Sequence, residues 1–186
     1  IYGKNPRLRF TFLTQKLQQK LLEALLDRSN FPIKLKGTEV ELEKIITAGE
    51  EKLVGFCEYQ DLMKCQEQKF RLSFLTPTAF RRGELNHPLP DVEAMFKGLL
   101  KKWNVFSGYE YDEELVEKII KKVAITRHKV RSEIIEYGDY FQVGFLGYID
   151  CQIFSDDVEF IKQVQSLAQF AFYAGAYLPA HKACEP

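Results

Sequence analysis

The chain has 186 residues, of which 46% are hydrophobic and 28% are charged, and its 26 basic and 26 acidic side chains leave no formal net charge. This length fits one domain or two small ones, and the hydrophobic content is enough for a packed core, which excludes a disordered chain. A neutral chain that binds nucleic acid has to do so through local clusters of cations.

The first half of the chain predicts a strand, a helix and two short strands. Alternating apolar residues predict a half-buried strand over Leu8–Leu13. Leucines four residues apart in "TQKLQQKLLEALLDRSN" then predict a helix with Thr14 as its cap. Short strands are predicted at Ile33–Lys36 and Val40–Ile46. Residues 47 to 68 are polar and irregular, so we expect a linker there.

The second half predicts a strand, two helices, a pair of strands and a last helix. Apolar residues alternate in "KFRLSFL", and a helix that starts at Asp91 carries an apolar stripe as far as Trp103. A second helix is predicted over Glu113–Val123. The longest alternation runs from Phe141 to Ile153 and is expected to pair with Thr126–Ile135 as a hairpin. A last helix begins at Asp156 and ends near Gly175.

This order of elements is typical of the βαββαβ ferredoxin-like plan. The first half matches only the back half of that plan, and no closing strand is evident after Gly175. We therefore predict an α+β protein of tandem ferredoxin-like (RRM-like) domains, the first incomplete at its N-terminus and the second without its last strand. The predicted boundaries are 1–66 for the first domain and linker, and 67–186 for the second.

The cysteine pattern favours neither metal binding nor a disulfide framework. Cys57, Cys65, Cys151 and Cys184 include no CxxC pair and have no histidine at ligand spacing. We expect no metal, no cofactor and a reducing, cytoplasmic location. No apolar run reaches membrane-spanning length, so no membrane association is expected. Because the chain starts at Ile1 rather than Met, we also expect an upstream piece to be absent.

Four stretches in the C-terminal two-thirds of the chain resemble one known family. They are "FLTPTAFRRG", "PLPDVEAMFKGLLKKWNVF", "YFQVGFLGYID" and "LAQFAFYAG". In this order and spacing they resemble the CRISPR-associated endoribonucleases that cut repeat RNA, which belong to the RAMP superfamily and have two tandem ferredoxin-like domains. Two features depart from that family. The early region that supplies its general acid/base histidine has no counterpart before Leu8, and the glycine-rich loop after "FAFYAG" is absent.

The resemblance implies an RNA-binding protein of CRISPR antiviral defence. Its activity would be metal-independent cleavage of precursor repeat RNA to 2′,3′-cyclic phosphate and 5′-hydroxyl ends. Because of the two departures, the catalytic region is expected to be missing from this chain, and the enzyme activity stays open. One alternative is a non-catalytic RNA-binding or assembly subunit of the same superfamily. Another is a ferredoxin-like regulatory or oligomerisation module that binds no nucleic acid. Further expected partners are a second copy of the chain or effector-complex subunits, because an open sheet edge favours pairing.

Cations near strand ends and loops are the candidate RNA contacts. From Lys118 to Arg131 there are basic residues and no acidic ones. Arginine forks suit phosphate, whereas lysines on helices are often only solvated. We expect the arginines beside the Thr76–Thr78 corner to converge with those of the hairpin on one positively charged rim. The candidate set is Arg81, Arg82, Arg127, Lys129, Arg131, Lys97 and Lys101.

His128 is a weak catalytic candidate. RNA cleavage without a metal needs a base for the 2′-hydroxyl, cations for the phosphate and an acid for the leaving oxygen. Arg127 and Lys129 flank His128 and favour its neutral, proton-accepting form, although a solvated residue of an edge strand explains it equally well. His87 is an ordinary loop histidine by its position, and His181 is assigned no role.

The aromatic residues of the strands predict where RNA does not bind. Phe70, Phe74, Phe141 and Phe145 fall on the period that we assign to the helix-covered face. RNA-recognition domains of this topology instead stack bases on exposed aromatics of the two central strands. We therefore expect RNA to bind at loops and helix edges rather than across an open sheet.

Overall fold

The computed structural model describes residues 8–27, 33–35, 38–40, 43–47, 54–137, 140–174 and 178–179. Contacts divide the chain into two units, Ile1–Phe56 and Cys57–Pro186. This division lies before the predicted boundary between residues 66 and 67.

The described residues of the first unit form a helix and a hairpin. Helix α1 spans Gln15–Leu26, with Thr14 at its N-cap position as predicted, and strands β1 (Ile33–Leu35) and β2 (Thr38–Val40) pair antiparallel. The predicted strand over Leu8–Leu13 is wrong, because these residues have no regular structure and form no ladder with the described residues. Alternation alone does not make a strand without a partner. Residues 43–47 are also outside any strand, so β2 ends earlier than predicted.

The second unit begins with a short helix, α2 (Tyr59–Leu62). Leu62 is buried, and the ring of Tyr59 contacts the rings of Trp103 and Phe170. The polar composition predicted a linker here, whereas these apolar contacts attach the segment to the second unit.

A four-stranded antiparallel sheet forms the centre of the second unit. After α2, the elements of this unit are β3 (Lys69–Thr78), β4 (Phe80–Arg82), β5 (Leu85–His87), α3 (Val92–Phe106), α4 (Glu114–Lys122), β6 (Val123–Tyr137), β7 (Tyr140–Ile153), α5 (Val158–Tyr173) and β8 (Leu178–Pro179). The sheet order is β6-β7-β3-β8, and β4 and β5 form a separate hairpin. The series β3, α3, β6, β7, α5, β8 is the predicted βαββαβ plan, so the α+β fold class is confirmed.

The closing strand corrects one expectation. Leu178 and Pro179 pair with Ser73 and Leu72 on the free side of β3. A strand of two residues is too short to show an alternating pattern, so no strand was predicted there. The second unit therefore has its last strand.

One face of the sheet packs against α3 and α5. The rings of Phe74 and Phe145 meet at 4.6 Å on this face, and Phe70 contacts Phe96 of α3. Trp103 and Phe170 are fully buried between the helices. The apolar stripes predicted for the two helices are thus the core of the unit.

Phe141 is an exception to the predicted face. Its side chain is 70% exposed, because β7 pairs with β3 only from Phe145 onward and with β6 alone before that residue. The beginning of β7 therefore extends beyond the helices as a two-stranded ribbon.

The cysteines differ in state. Cys57 is disulfide-bonded, although the spacing of the cysteines did not favour a disulfide framework. Cys65 and Cys151 are free thiols. Burial, and secondarily the charge of Asp150, raises the pKa of Cys151 to about 12.

The described residues contain no group of three or more His, Cys, Asp or Glu side chains placed to hold a metal ion. Across the same residues, every helix is too short or too polar to cross a bilayer.

Candidate nucleic-acid interface

The face of the sheet opposite the helices carries three of the predicted cations. In the β6–β7 register, Arg127 pairs with Asp150, Lys129 with Tyr148 and Arg131 with Leu146. Paired residues of antiparallel strands point to the same side, and Ile149, which alternates with these β7 residues, is buried under the helices. The three exposed cations therefore form one row on the opposite face, separated by about 7 Å along the strand.

Strand β3 adds a fourth cation to this face. Arg71 pairs with Asp150 in the β3–β7 register, and its Nε and Nη2 donate to Oδ1 and Oδ2 of Asp150 at 2.5 and 2.8 Å. Its guanidinium carbon lies 4.0 Å from the centroid of the Tyr148 ring. We call the surface of these residues the cationic face; it comprises Arg71, Arg127, Lys129, Arg131, Tyr148 and Asp150.

The charges of the cationic face are only partly balanced. The hydrogen bonds from Arg71 lower the pKa of Asp150 against the effect of desolvation, and the charges of Arg71 and Arg127 lower it further. The same hydrogen bonds raise the pKa of Arg71. Oε2 of Glu133 lies 3.6 Å from Nη2 of Arg131, and because the Arg131 side chain is largely exposed and that of Glu133 partly exposed, this pair is weak. A net positive charge remains available to a polyanion.

The adjacent arginines Arg81 and Arg82 of β4 point to opposite sides of the β4–β5 hairpin. Its turn contains Gly83 with a φ of 60°, a conformation that favours glycine. The ring of Phe80 packs against Phe145, and Arg82 donates from Nε at 3.0 Å and Nη2 at 2.6 Å to Oδ2 of Asp91. Arg82 is therefore engaged with the N-cap residue of α3. Arg81 alternates to the other side of β4 and is exposed, and it forms no ion pair with the described residues.

Asp91 is the N-cap of α3 and a nearly buried carboxylate, with 7% of its side chain exposed. Its Oδ1 accepts a hydrogen bond from the Ala94 N–H at 3.1 Å. Burial raises the pKa of Asp91, but the Ala94 hydrogen bond and the Arg82 guanidinium outweigh burial and lower it overall. Arg82 thus joins the hairpin to the start of α3.

Strand β7 lies between the Thr76–Thr78 corner and β6. Thr78 pairs with Phe145 on one side, and Ser132 pairs with Phe145 on the other. The corner is therefore two strands away from the end of the cation row at Arg131.

The remaining candidates lie elsewhere. His128 pairs with Ile149, so it lies on the helix side of β6, at the outer edge of the sheet, and points away from the cationic face. Lys97 and Lys101 are one turn apart on the exposed side of α3, in the layer that covers the other face. His87 ends β5 near Asp91. His181 lies outside the described residues.

Three residues of the cationic face were absent from the candidate set. Arg71 lies on the polar half of "KFRLSFL", and Tyr148 and Asp150 lie on the polar half of "YFQVGFLGYID". The alternation that predicted the buried residues also places these three on the opposite face. The missing information was the register that brings them together.

A family model for the CRISPR-associated endoribonuclease Cas6 matches residues 72–176, a range that begins within β3 and includes all of α5. A curated protein named CRISPR-associated endoribonuclease Cas6, from Mycobacterium tuberculosis (strain CDC 1551 / Oshkosh), is 28% identical over 116 residues. The match covers 62% of this chain and 37% of that protein, so the chain spans well under half the length of this relative.

Solved structures show the same fold. The product complex of Cas6 (TTHB231) aligns over 85% of this chain and 69% of its own, with a TM-score of 0.75 and 24% identity; TTHB231 is a Thermus thermophilus protein. The product complex of Cas6 (TTHA0078) aligns over 73% of this chain and 56% of its own, with a TM-score of 0.65 and 21% identity.

Proposed function

The chain belongs to the CRISPR-associated endoribonuclease Cas6 family, and from this premise we propose that it binds CRISPR repeat RNA and takes part in its metal-independent cleavage. The expected products are a 2′,3′-cyclic phosphate and a 5′-hydroxyl end. The observation that carries the RNA-binding part is the row of Arg127, Lys129 and Arg131 on one face of the sheet. A row of cations on a strand can follow the phosphates of an RNA backbone.

The proposed phosphate contacts are the three cations of β6 together with Arg81. Arg82 serves the α3 cap, as its two hydrogen bonds to Asp91 indicate. Lys97 and Lys101 lie in the helix layer, and their contact with RNA stays a separate prediction.

The salt dependence of binding tests this surface. The slope of log affinity against log salt is set by the number of phosphates neutralised, about 0.7 per contact for a single strand. Replacing Arg127 or Lys129 by alanine is expected to weaken binding and to reduce the slope by about 0.7–1. Lys97→Ala with Lys101→Ala is the matched control on α3, and an equal loss in that control would move the interface to the helix. An unmodified chain that shows no salt-dependent RNA binding would leave only a regulatory or oligomerisation module.

Cleavage needs a base, stabilising cations and an acid around the scissile phosphate. His128 is the proposed general base from this chain and would remove the proton from the 2′-hydroxyl. The test is incubation with a CRISPR repeat hairpin in EDTA, with mass-spectrometric analysis of the ends. We expect one cut with a cyclic phosphate end, lost in His128→Ala.

A second candidate function has an observation in its favour. His128 and the cationic face lie on opposite sides of β6, which favours a non-catalytic RNA-binding subunit of the same superfamily. RNA binding with no cut in the hairpin experiment would support this candidate over the nuclease.

Pairing with a second copy or with effector-complex subunits also stays a proposal. The outer edge of β6 is the sheet edge that such a partner would use. Light scattering of the chain, alone and with RNA, is expected to show a mass above that of a monomer, and a monomeric mass in both states would contradict homodimer formation.

A further inference from the structure

We propose that Arg71 and Tyr148 form a stacking site for one unpaired RNA base in the middle of the cationic face. This inference rests on the proposed RNA binding and adds a preference for single-stranded RNA. The proposed site lies on the sheet, whereas the sequence pattern predicted RNA binding at loops and helix edges.

The first argument is position. Arg71 and Tyr148 belong to β3 and β7, which are the two central strands of the sheet. Both side chains lie on the face opposite the helices and are partly exposed. Exposed flat side chains on the central strands are the feature by which sheets of this topology bind single-stranded RNA.

The second argument is the arrangement of the pair. The guanidinium of Arg71 lies over the Tyr148 ring at 4.0 Å, and the two hydrogen bonds to Asp150 hold it in a fixed plane. Arginine planes and aromatic rings both stack on nucleobases. Because the pair is already assembled, a base that stacks on it does not have to order either side chain first.

The third argument is charge. Lys129 is paired directly with Tyr148 in the register, and Arg127 is paired with Asp150. A base on the Arg71–Tyr148 pair therefore has two cations within one strand spacing, where the phosphates on either side of that base can reach them. A neutral or cationic ligand would gain nothing from these neighbours, whereas an RNA strand uses both the rings and the charges.

The site discriminates between RNA structures. A base in a duplex is stacked on its neighbours and its plane is not accessible, so only an unpaired nucleotide fits. Stacking is tolerant of sequence because every base has a π-face. The expected occupant is an unpaired segment of an RNA rather than its stem.

The experiment measures binding of a short single-stranded RNA by fluorescence anisotropy with the full 186-residue chain. Tyr148→Leu removes the ring but keeps apolar bulk, and Tyr148→Phe keeps the ring. We expect the leucine variant to bind roughly 5- to 100-fold more weakly with an unchanged salt slope, and the phenylalanine variant to bind within about twofold of the wild type. The corresponding RNA duplex is expected to be insensitive to both substitutions.

A second measurement needs no variant. RNAs that carry 2-aminopurine at successive positions report stacking by loss of fluorescence, and we expect one position to be quenched on binding. Equal affinity of the leucine variant, or no quenched position, would overturn the stacking site. If Lys129→Ala still weakens binding in that case, the proposed function stands; if the wild-type chain binds no RNA, both fail.

Discussion

Replacing Arg82 by alanine is expected to destabilise the second unit without changing the salt dependence of RNA binding. Arg82 gives two hydrogen bonds to Oδ2 of Asp91. Hydrogen bonds to charged groups contribute about 1.5–3 kcal/mol, and exposed ion pairs about 0–1 kcal/mol. The Arg82 side chain is 65% exposed and that of Asp91 only 7%. We therefore expect an intermediate loss of about 1–2 kcal/mol.

The single tryptophan makes this measurement specific to the second unit. Trp103 is fully buried between α3 and α5, so its fluorescence in a urea titration reports unfolding of that unit. The assay compares the free energy of unfolding and the salt slope of RNA binding for each variant.

Arg81→Ala is the matched control, because it removes the neighbouring arginine, which forms no ion pair with the described residues. Its stability is expected to stay within about 0.5 kcal/mol of the wild type, and its salt slope to fall by about 1. The reverse outcome, in which Arg82→Ala keeps its stability and loses salt slope, would refute the assignment of Arg82 to the α3 cap.

Three further outcomes are expected. The pKa of Asp91 in the folded protein is lowered from its ordinary 3.8, so its ionised form stabilises the fold above pH 3.8. The difference in unfolding free energy between the wild type and Arg82→Ala should therefore disappear as the pH falls through the pKa of folded Asp91. Urea titrations in which this difference stays constant over that pH range would contradict the ion pair. Gly147→Ala is expected to lower the free energy of unfolding by about 3 kcal/mol or more, because Gly147 has a φ of 133° and an added Cβ would meet the Lys129 carbonyl oxygen. Gly98→Ala in helix α3 is the comparison, because the added Cβ has open space and the substitution should be neutral or stabilising. Trp103 fluorescence in urea titrations measures both variants. Asp150→Asn weakens the two hydrogen bonds that hold the Arg71 guanidinium in its plane, so the affinity for single-stranded RNA should fall although a negative charge is lost. Glu133→Gln is the comparison, because it removes only a negative charge near Arg131 and should raise the affinity slightly; a higher affinity of Asp150→Asn would contradict the pre-assembled pair.

Long periodic segments were the part of the fold that the sequence determined best. The alternation predicted for β7 from Phe141 to Ile153 agrees with the observed strand, Tyr140–Ile153, and the stripe ending at Trp103 agrees with α3. Each pattern is repeated over many residues and one side of it is buried, so local sequence and tertiary packing favour the same structure.

Short or unpaired segments were not predictable in the same way. Strand β8 has two residues and depends on pairing with Leu72 and Ser73 rather than on its own pattern. The Leu8–Leu13 segment has the opposite problem, because it alternates but has no ladder among the described residues. Strand formation depends on a partner strand, and the sequence does not name the partner.

The charged side chains of the candidate site were also only partly predictable from the sequence, because it does not show which cations are paired with carboxylates. A sequence treats Arg81 and Arg82 as equivalent neighbours, but the hairpin sends Arg82 to Asp91 and leaves Arg81 exposed. A cation that is already paired with a carboxylate has to lose that pair before it can bind phosphate, so its contribution to RNA affinity is smaller than that of an unpaired one. Lys129 and Arg127 form no ion pair with the described residues. They are therefore expected to contribute more to RNA affinity than a candidate cation that is paired with a carboxylate. Lys129 is expected to contribute most, because it lies beside Tyr148.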